Sequence, residues 1–306
     1  MGIRGLAIGC VVALGAATSA FAADLPVKAM PMKAPPVPYY NWILISNNQI
    51  IAQAVATHLD YAEYDDGRTG VGVVLPPGTF VDGEKGWAYG AGLKGSVMTN
   101  WIVDNFYFMA EGSYQKGTLS YMQGPALGVV FQNHNAEFDD FDLRVGKGFA
   151  VSPNAMITPF AEYGYHRWVR SVNNGETYQH QYAGAGVMVQ VAPVERLVWS
   201  VSGMVGSTFD AQLDVAAIPA AGIVGITGLG LGSDLIWKVG TGLDFAITPA
   251  WHVSGEATYT EFKYGASATV PQLGPGYEPN STSKVWTVKL GVGYSWGAPG
   301  PVVAKY

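Results

Sequence analysis

Trp286, Val288, Leu290, Val292, Tyr294 and Trp296 take every second position of one segment, separated by Thr287, Lys289, Gly291, Gly293 and Ser295. Successive side chains of a strand point to opposite faces, so this segment carries one wholly apolar face and one that is polar or bare. A soluble strand with one wet face also alternates. Here the apolar strip is six residues long with rings at both ends. That is the expectation for a strand whose outer face meets lipid and whose rings sit at two interfaces.

A chain with 49% hydrophobic and 13% charged residues could instead cross a membrane with helices. After the leader, however, no apolar run approaches the 18 or so residues that a spanning helix needs. Without helices, a spanning chain must close its strands into a ring, because open edges leave backbone groups unpaired in lipid. The expected fold is therefore all-β, a closed antiparallel transmembrane barrel. The 40 glycines fit such a barrel, since they recur on the inward faces where side chains crowd. A formal charge of −6 without a basic patch excludes nucleic acid as a partner.

Ten runs alternate with period two, at 50–61, 86–98, 105–116, 137–150, 156–170, 178–191, 197–209, 234–247, 251–264 and 284–296. Trp42–Ile45 and Val71–Leu75 are two further runs that would make twelve strands, and eight is the other alternative. Long connections (62–85, 117–136, 171–177, 210–233, 265–283) alternate with short ones (99–104, 151–155, 192–196, 248–250). Three short turns share one form: Val151-Ser152-Pro153-Asn154, Val191-Ala192-Pro193-Val194 and Ile247-Thr248-Pro249-Ala250. Proline pre-sets φ in such turns and costs no ladder donor. Long loops outside and short turns in the periplasm is the outer-membrane pattern, and it puts both termini in the periplasm.

The ends agree with export. Arg4, an apolar run and Ala20-Phe21-Ala22 read as a signal peptide over residues 1–22. Ala7-Ile8-Gly9-Cys10 is a poor lipoprotein signal, and cleavage after Ala22 removes the single cysteine. Residues 23–48 begin as a proline-rich lead in the periplasm, available to peptidoglycan or a periplasmic partner. The barrel itself is expected over 49–296, with 297–306 as a periplasmic tail.

Lys289, Gly291, Tyr294 and Trp296 resemble, at all four positions, the signal that the outer-membrane barrel-assembly machinery reads on a last strand. With the Ala23-Asp24-Leu25-Pro26 lead, Tyr40-Asn41-Trp42 and the strand–turn pattern, the mature chain resembles the small outer-membrane β-barrels of Gram-negative bacteria. These are often labelled porin-family or outer-membrane-immunogenic proteins. The resemblance implies the cell outer membrane as location, with outer-membrane lipid and lipopolysaccharide as surroundings. It implies no cofactor and no metal.

Barrel enzymes supply a test. Omptin-type proteolysis needs paired aspartates facing an Asp–His pair; Asp65, Asp66, Asp210 and Asp214 lie in outer loops, but the fourth loop has no histidine and His134 is remote in sequence. His252-Val253-Ser254, with Glu256, resembles the His-x-Ser of lipid A deacylases and places three polar groups on one strand face. That face is inward and follows a short turn, at the end away from lipopolysaccharide. The expectation is no enzyme.

The lumen carries the remaining chemistry. By phase, Lys94, Arg144, Lys238 and Lys289 point inward, together with Glu111, Asp140, Asp142, Glu162, Asp244 and Glu256. Trp87, Trp199, Trp237, Val239, Trp286, Leu290 and Val292 point outward to lipid. Opposite charges in a narrow barrel should pair, since an isolated buried charge is very costly. Ten strands lie near the size that side chains fill, so the expected lumen is plugged by ion pairs. That gives a structural or surface-interaction barrel, with a narrow porin-like channel for ions or small solutes as the alternative.

Overall fold

The computed structural model describes residues 41–70, 73–172, 175–217, 219, 224–270 and 276–296. The leader, the proline-rich start of the lead and the C-terminal tail, all read from sequence, lie outside the described residues.

Ten long strands follow one another: β1 (Gln49–Tyr64), β2 (Phe80–Thr99), β3 (Phe106–Gln123), β4 (Val130–Lys147), β5 (Ala155–Arg170), β6 (Glu176–Val194), β7 (Leu197–Val215), β8 (Leu235–Ala246), β9 (Trp251–Tyr264) and β10 (Asn280–Ser295). Each pairs antiparallel with its neighbours in sequence. β10 returns to β1 in continuous register from Gln49 opposite Ser295 to Tyr64 opposite Asn280, which closes the ring. No described helix is long and apolar enough to cross a membrane. Each of the ten runs of the sequence reading overlaps one of these strands, in the same order.

Three expectations need correction. Trp42–Ser46 is not a strand but a short helix, α1, capped by the Asn41 side chain accepting from the Leu44 amide. Although sequence put it in the periplasmic lead, Ile43 and Ile45 are buried, and it lies inside the short-turn end of the barrel. Val73–Val74 forms only a two-residue hairpin with Thr69–Gly70 inside the first outer loop. The β3–β4 connection is also far shorter than 117–136, because both strands run on to Gln123 and Val130. Beyond the lipid the outer face turns polar through Lys116, Thr118 and Ser120, so the apolar column that marks a strand disappears although the ladder continues.

The outside is apolar and bare. Trp87, Trp199, Val239, Trp286, Leu290 and Val292 are exposed. Trp237 is half-covered, because Tyr259 packs 5.1 Å from its ring; Tyr259 also meets Trp286 at 4.9 Å. His58 and Trp87, 5.1 Å apart, continue this girdle across β1 and β2. Trp251 and Tyr294, 5.2 Å apart, belong to a second girdle at the other end. Ten residues from Trp286 to Trp296 give about 25 Å of height at a 40° tilt, the height of a lipid-facing band. So large an exposed apolar surface on a closed ring belongs in a bilayer. The protein is a transmembrane β-barrel.

Glycine makes room within. A Cβ on Gly164 would lie 2.1 Å from the Tyr182 ring, and one on Gly186 would lie 2.5 Å from Phe160. Both rings therefore pack directly on bare backbone, in space that any side chain would fill.

Candidate functional site

β5 lays out the lumen in one column. Every second residue from Glu162 points inward: Glu162, Gly164, His166, Trp168 and Arg170. The neighbouring strands add to each level, so the lumen is filled in layers from the short turns to the outer loops.

At the short-turn end, α1 is tied to the wall. Asn47 and Gln190 exchange side-chain amide hydrogen bonds of 2.7 and 3.1 Å. The Asn48 side chain bonds both backbone groups of Met98 at 3.1 and 3.0 Å. Ser295 donates to the Ile45 carbonyl at 2.9 Å, and its Oγ is 3.2 Å from His252 Nε2. His252 Nδ1 meets Asp244 at 2.5 Å, and Gln49 donates to the other Asp244 oxygen at 2.9 Å. An acid–imidazole–hydroxyl series is thus present, but on Ser295, not on Ser254. Its hydroxyl is buried and committed to the α1 carbonyl. It fastens the helix.

The middle layer is a band of charge. Four cations, Lys94, Arg144, Lys238 and Lys289, meet four carboxylates, Glu111, Asp142, Glu162 and Glu256. Lys94 bonds Glu256 at 2.9 Å, with Glu111 at 3.9 Å; Lys289 bonds Glu111. Arg144 donates to Glu162 at 2.6 Å. Lys238 lies 3.0 Å from Glu162 and 3.1 Å from Asp142, and the Tyr182 hydroxyl contacts Asp142 and Lys238. These pairs span the ring: β8 to β4 and β5, β10 to β3, β2 to β9. Each carboxylate therefore meets a cation from a different part of the wall, as low-dielectric burial requires.

Asp140 and Asp244, read from sequence with the other lumen charges, stand outside this band. Asp140 pairs with His166 at 2.7 Å in the layer above, and Asp244 with His252 in the layer below. A chamber of about 70 Å³ lies beneath the band, against Asn47 and Gln190. Another of about 80 Å³ lies above it, among Thr57, Thr258, Thr260, Thr287 and His180. Each has room for several waters.

The outermost layer is built on Arg170. Its guanidinium bonds Glu176 at 2.6 Å, Tyr178 at 3.0 Å and Glu84, with Glu63 at 3.6 Å. His134 Nε2 lies 2.5 Å from Glu84. The Tyr178 ring is stacked on Trp168 at 5.4 Å, and its hydroxyl donates to Glu278 in the last outer loop at 2.5 Å. Burial, then the Glu176 carboxylate, push the Glu278 carboxyl up to about 7. Sequence reading missed this layer. Glu63, Glu84, His134, Glu176 and Glu278 all fell in expected outer loops. Arg170 keeps the parity of Glu162 eight residues on, which is the signal that points to it.

Asp65, Asp66, Asp210, Asp214 and His134 do not converge. Asp65 accepts from Tyr277, Asp66 from Arg68, Asp210 from Gln181 and Asp214 from the Gly228 amide. Among the described residues no group of His, Cys, Asp and Glu is placed to hold a metal.

No protein-family model matches the chain, and no curated protein matches it. Several solved structures are similar. The outer membrane protease OmpT from Escherichia coli is 10% identical, covering 82% of this chain and 98% of that one, with a TM-score of 0.46. The translocator domain of the autotransporter NalP from Neisseria meningitidis is 12% identical over 83% and 91%, at 0.43. The outer membrane protein OprG from Pseudomonas aeruginosa is 9% identical over 82% and 99%, at 0.31.

Proposed function

We propose that this protein is a closed outer-membrane barrel with a structural or surface-interaction role, and not an enzyme. The observation behind this reading is the charge-balanced band across the lumen. Four cations and four carboxylates satisfy one another from different strands, which leaves the band with no net charge to attract an ion of either sign. α1 below and the Arg170 layer above seal the two ends. Interaction then falls to the outer loops and the strand ends that carry them.

The test is single-channel recording on refolded full-length protein in a planar bilayer. The expected record shows no steps at moderate voltage in molar salt. Regular small steps would favour the second reading, a narrow channel for ions or small solutes. The two chambers, each with room for several waters, support that alternative, since only the band separates them.

A further inference from the structure

Past the outer girdle the strands continue as a collar, and there β4 stands taller than β5. Its pairing with β3 runs unbroken out to Val130 opposite Gln123, whereas its pairing with β5 begins only at Ala136 opposite Arg170. One step past Ala136, the Ser171 amide donates to the Asn135 carbonyl at 3.1 Å, and the Asn135 amide donates to the Ser171 hydroxyl at 3.0 Å. Beyond Asn135 that side of β4 has no partner among the described residues. Residues 130–135 are thus laddered on one side and open on the other.

Asn135 fixes which backbone groups face the open side. Its own N–H and C=O point toward β5, and such groups alternate sides along a strand. The register with β3 holds throughout this stretch. Phe131 and Asn133 therefore also turn N–H and C=O to the open side, while Gln132 and His134 direct theirs to β3. Proteins blunt such an edge with a lysine, a proline, a bulge or a covering loop. Among the described residues this edge has none of them. It reads Val130-Phe131-Gln132-Asn133-His134-Asn135, and the histidine points inward to Glu84. On β7 the contrast is plain, since Ile226–Gly230 of the fourth outer loop pairs along its outer end. Phe131 is 72% exposed and Met122 opposite it is exposed too, so an apolar face lies beside the open groups. Met122 is eight residues beyond Tyr114, the last outward ring of β3, or about 20 Å at a 40° tilt. That is well clear of the acyl chains.

Two occupants are excluded by geometry. The described chain begins and ends at the short-turn end, across the membrane from this edge. A second copy in the same membrane is related by rotation about the membrane normal, which crosses two strands of 40° tilt at about 80°, too steep for a ladder. We propose that β4 at Phe131 and Asn133 is a strand-addition site for an extended segment of another protein, antiparallel, with an apolar side chain beside Phe131. The inference deepens the surface-interaction reading and rests on it. Closure of the lumen is read by conductance and strand addition by peptide binding, so either can fail alone.

Full-length protein refolded in detergent is titrated with a fluorescent peptide, acetyl-Lys-Thr-Val-Thr-Val-Thr-Val-Lys amide, and followed by anisotropy. The residue opposite Phe131 in an antiparallel pair exchanges both bonds with it and shares its face, so the valine amides are the ones used. N-methylation of the valines should weaken binding about tenfold or more, the effect of a lost ladder bond, and N-methylation of the threonines should not. In the protein, Asn133→Pro removes an open N–H and leaves the β3 ladder intact. Asn133→Thr is its control, because both changes lose the 3.0 Å bond from Ser120. Circular dichroism checks each barrel. Asn133→Pro should lose about tenfold and Asn133→Thr should bind as wild type. No wild-type binding at about 1 mM peptide would overturn the assignment. So would equal binding by Asn133→Pro, or by the valine-methylated peptide, which would mark apolar adsorption on Phe131. A peptide copying residues 129–136 that binds about tenfold tighter would overturn it in favour of a second copy in a facing membrane.

Discussion

Replacing Lys238 with methionine removes the cation that reaches furthest across the lumen. Its Nζ lies 3.0 Å from Glu162 and 3.1 Å from Asp142. At an effective dielectric of about 20, each contact is worth about 5 kcal/mol before desolvation. Losing the lysine also removes its own burial cost, and the two carboxylates keep partial compensation. Glu162 retains Arg144 at 2.6 Å, and Asp142 retains the Tyr182 hydroxyl. The net loss should therefore fall near 3 kcal/mol, the lower end of the range for breaking a buried pair. Urea unfolding from lipid vesicles, followed by tryptophan fluorescence, measures it. Adding Asp142→Leu to Lys238→Met should recover much of the loss, since the stranded carboxylate goes with it. The same single variant should show conductance steps that wild type lacks. A cost below about 1 kcal/mol with unchanged conductance would refute the idea that this band closes the barrel.

Three further outcomes are expected. Folding raises the Glu278 carboxyl from 4.5 to about 7. The stability it lends is therefore full below pH 4.5 and is lost as pH rises through about 7; the wild-type melting temperature should fall across that window, and Glu278→Gln should flatten the fall. Val239→Arg or Leu290→Arg should cost about 2–4 kcal/mol in vesicles if the residue lies at mid-bilayer, whereas the same change at Lys116, on the collar, should cost little. Trp296→Ala should slow insertion into the outer membrane more than truncation after Gly297 does, as pulse-chase extraction would report; the reverse order would move the assembly signal to Tyr306.

What was legible in the sequence follows the solvent. Where the wall meets lipid on one side and packed polar groups on the other, as at Leu290 beside Lys289, composition alternates with the backbone and the strand can be read. Past the girdle the outer face turns polar, so the outer ends of β2, β3, β4 and β6 read as loop, and Glu84, His134 and Glu176 went with them. α1 failed for a different reason. Trp42-Ile43-Leu44-Ile45 is too short and too uniformly apolar for period two and period 3.6 to be told apart. Its capping Asn41 was the better cue. The pairing of Asp244 with His252 was also out of reach, since parity assigns a face but not the height at which two strands meet.

The fastening of α1 bears on the order of folding. Gln49 and Ser295 face each other at the seam, so the pairing that closes the ring joins the two ends of the barrel sequence and carries the largest loop-closure cost of any strand pair. Ser295 is also the residue that holds the Ile45 carbonyl, and the Trp296 amide bonds the Asn48 carbonyl. These bonds cannot form while the seam is open. Docking of α1 is therefore finished last: its bonds to Met98 and Gln190 do not need the seam, but those to Ser295 and Trp296 form only when the last strand closes the ring.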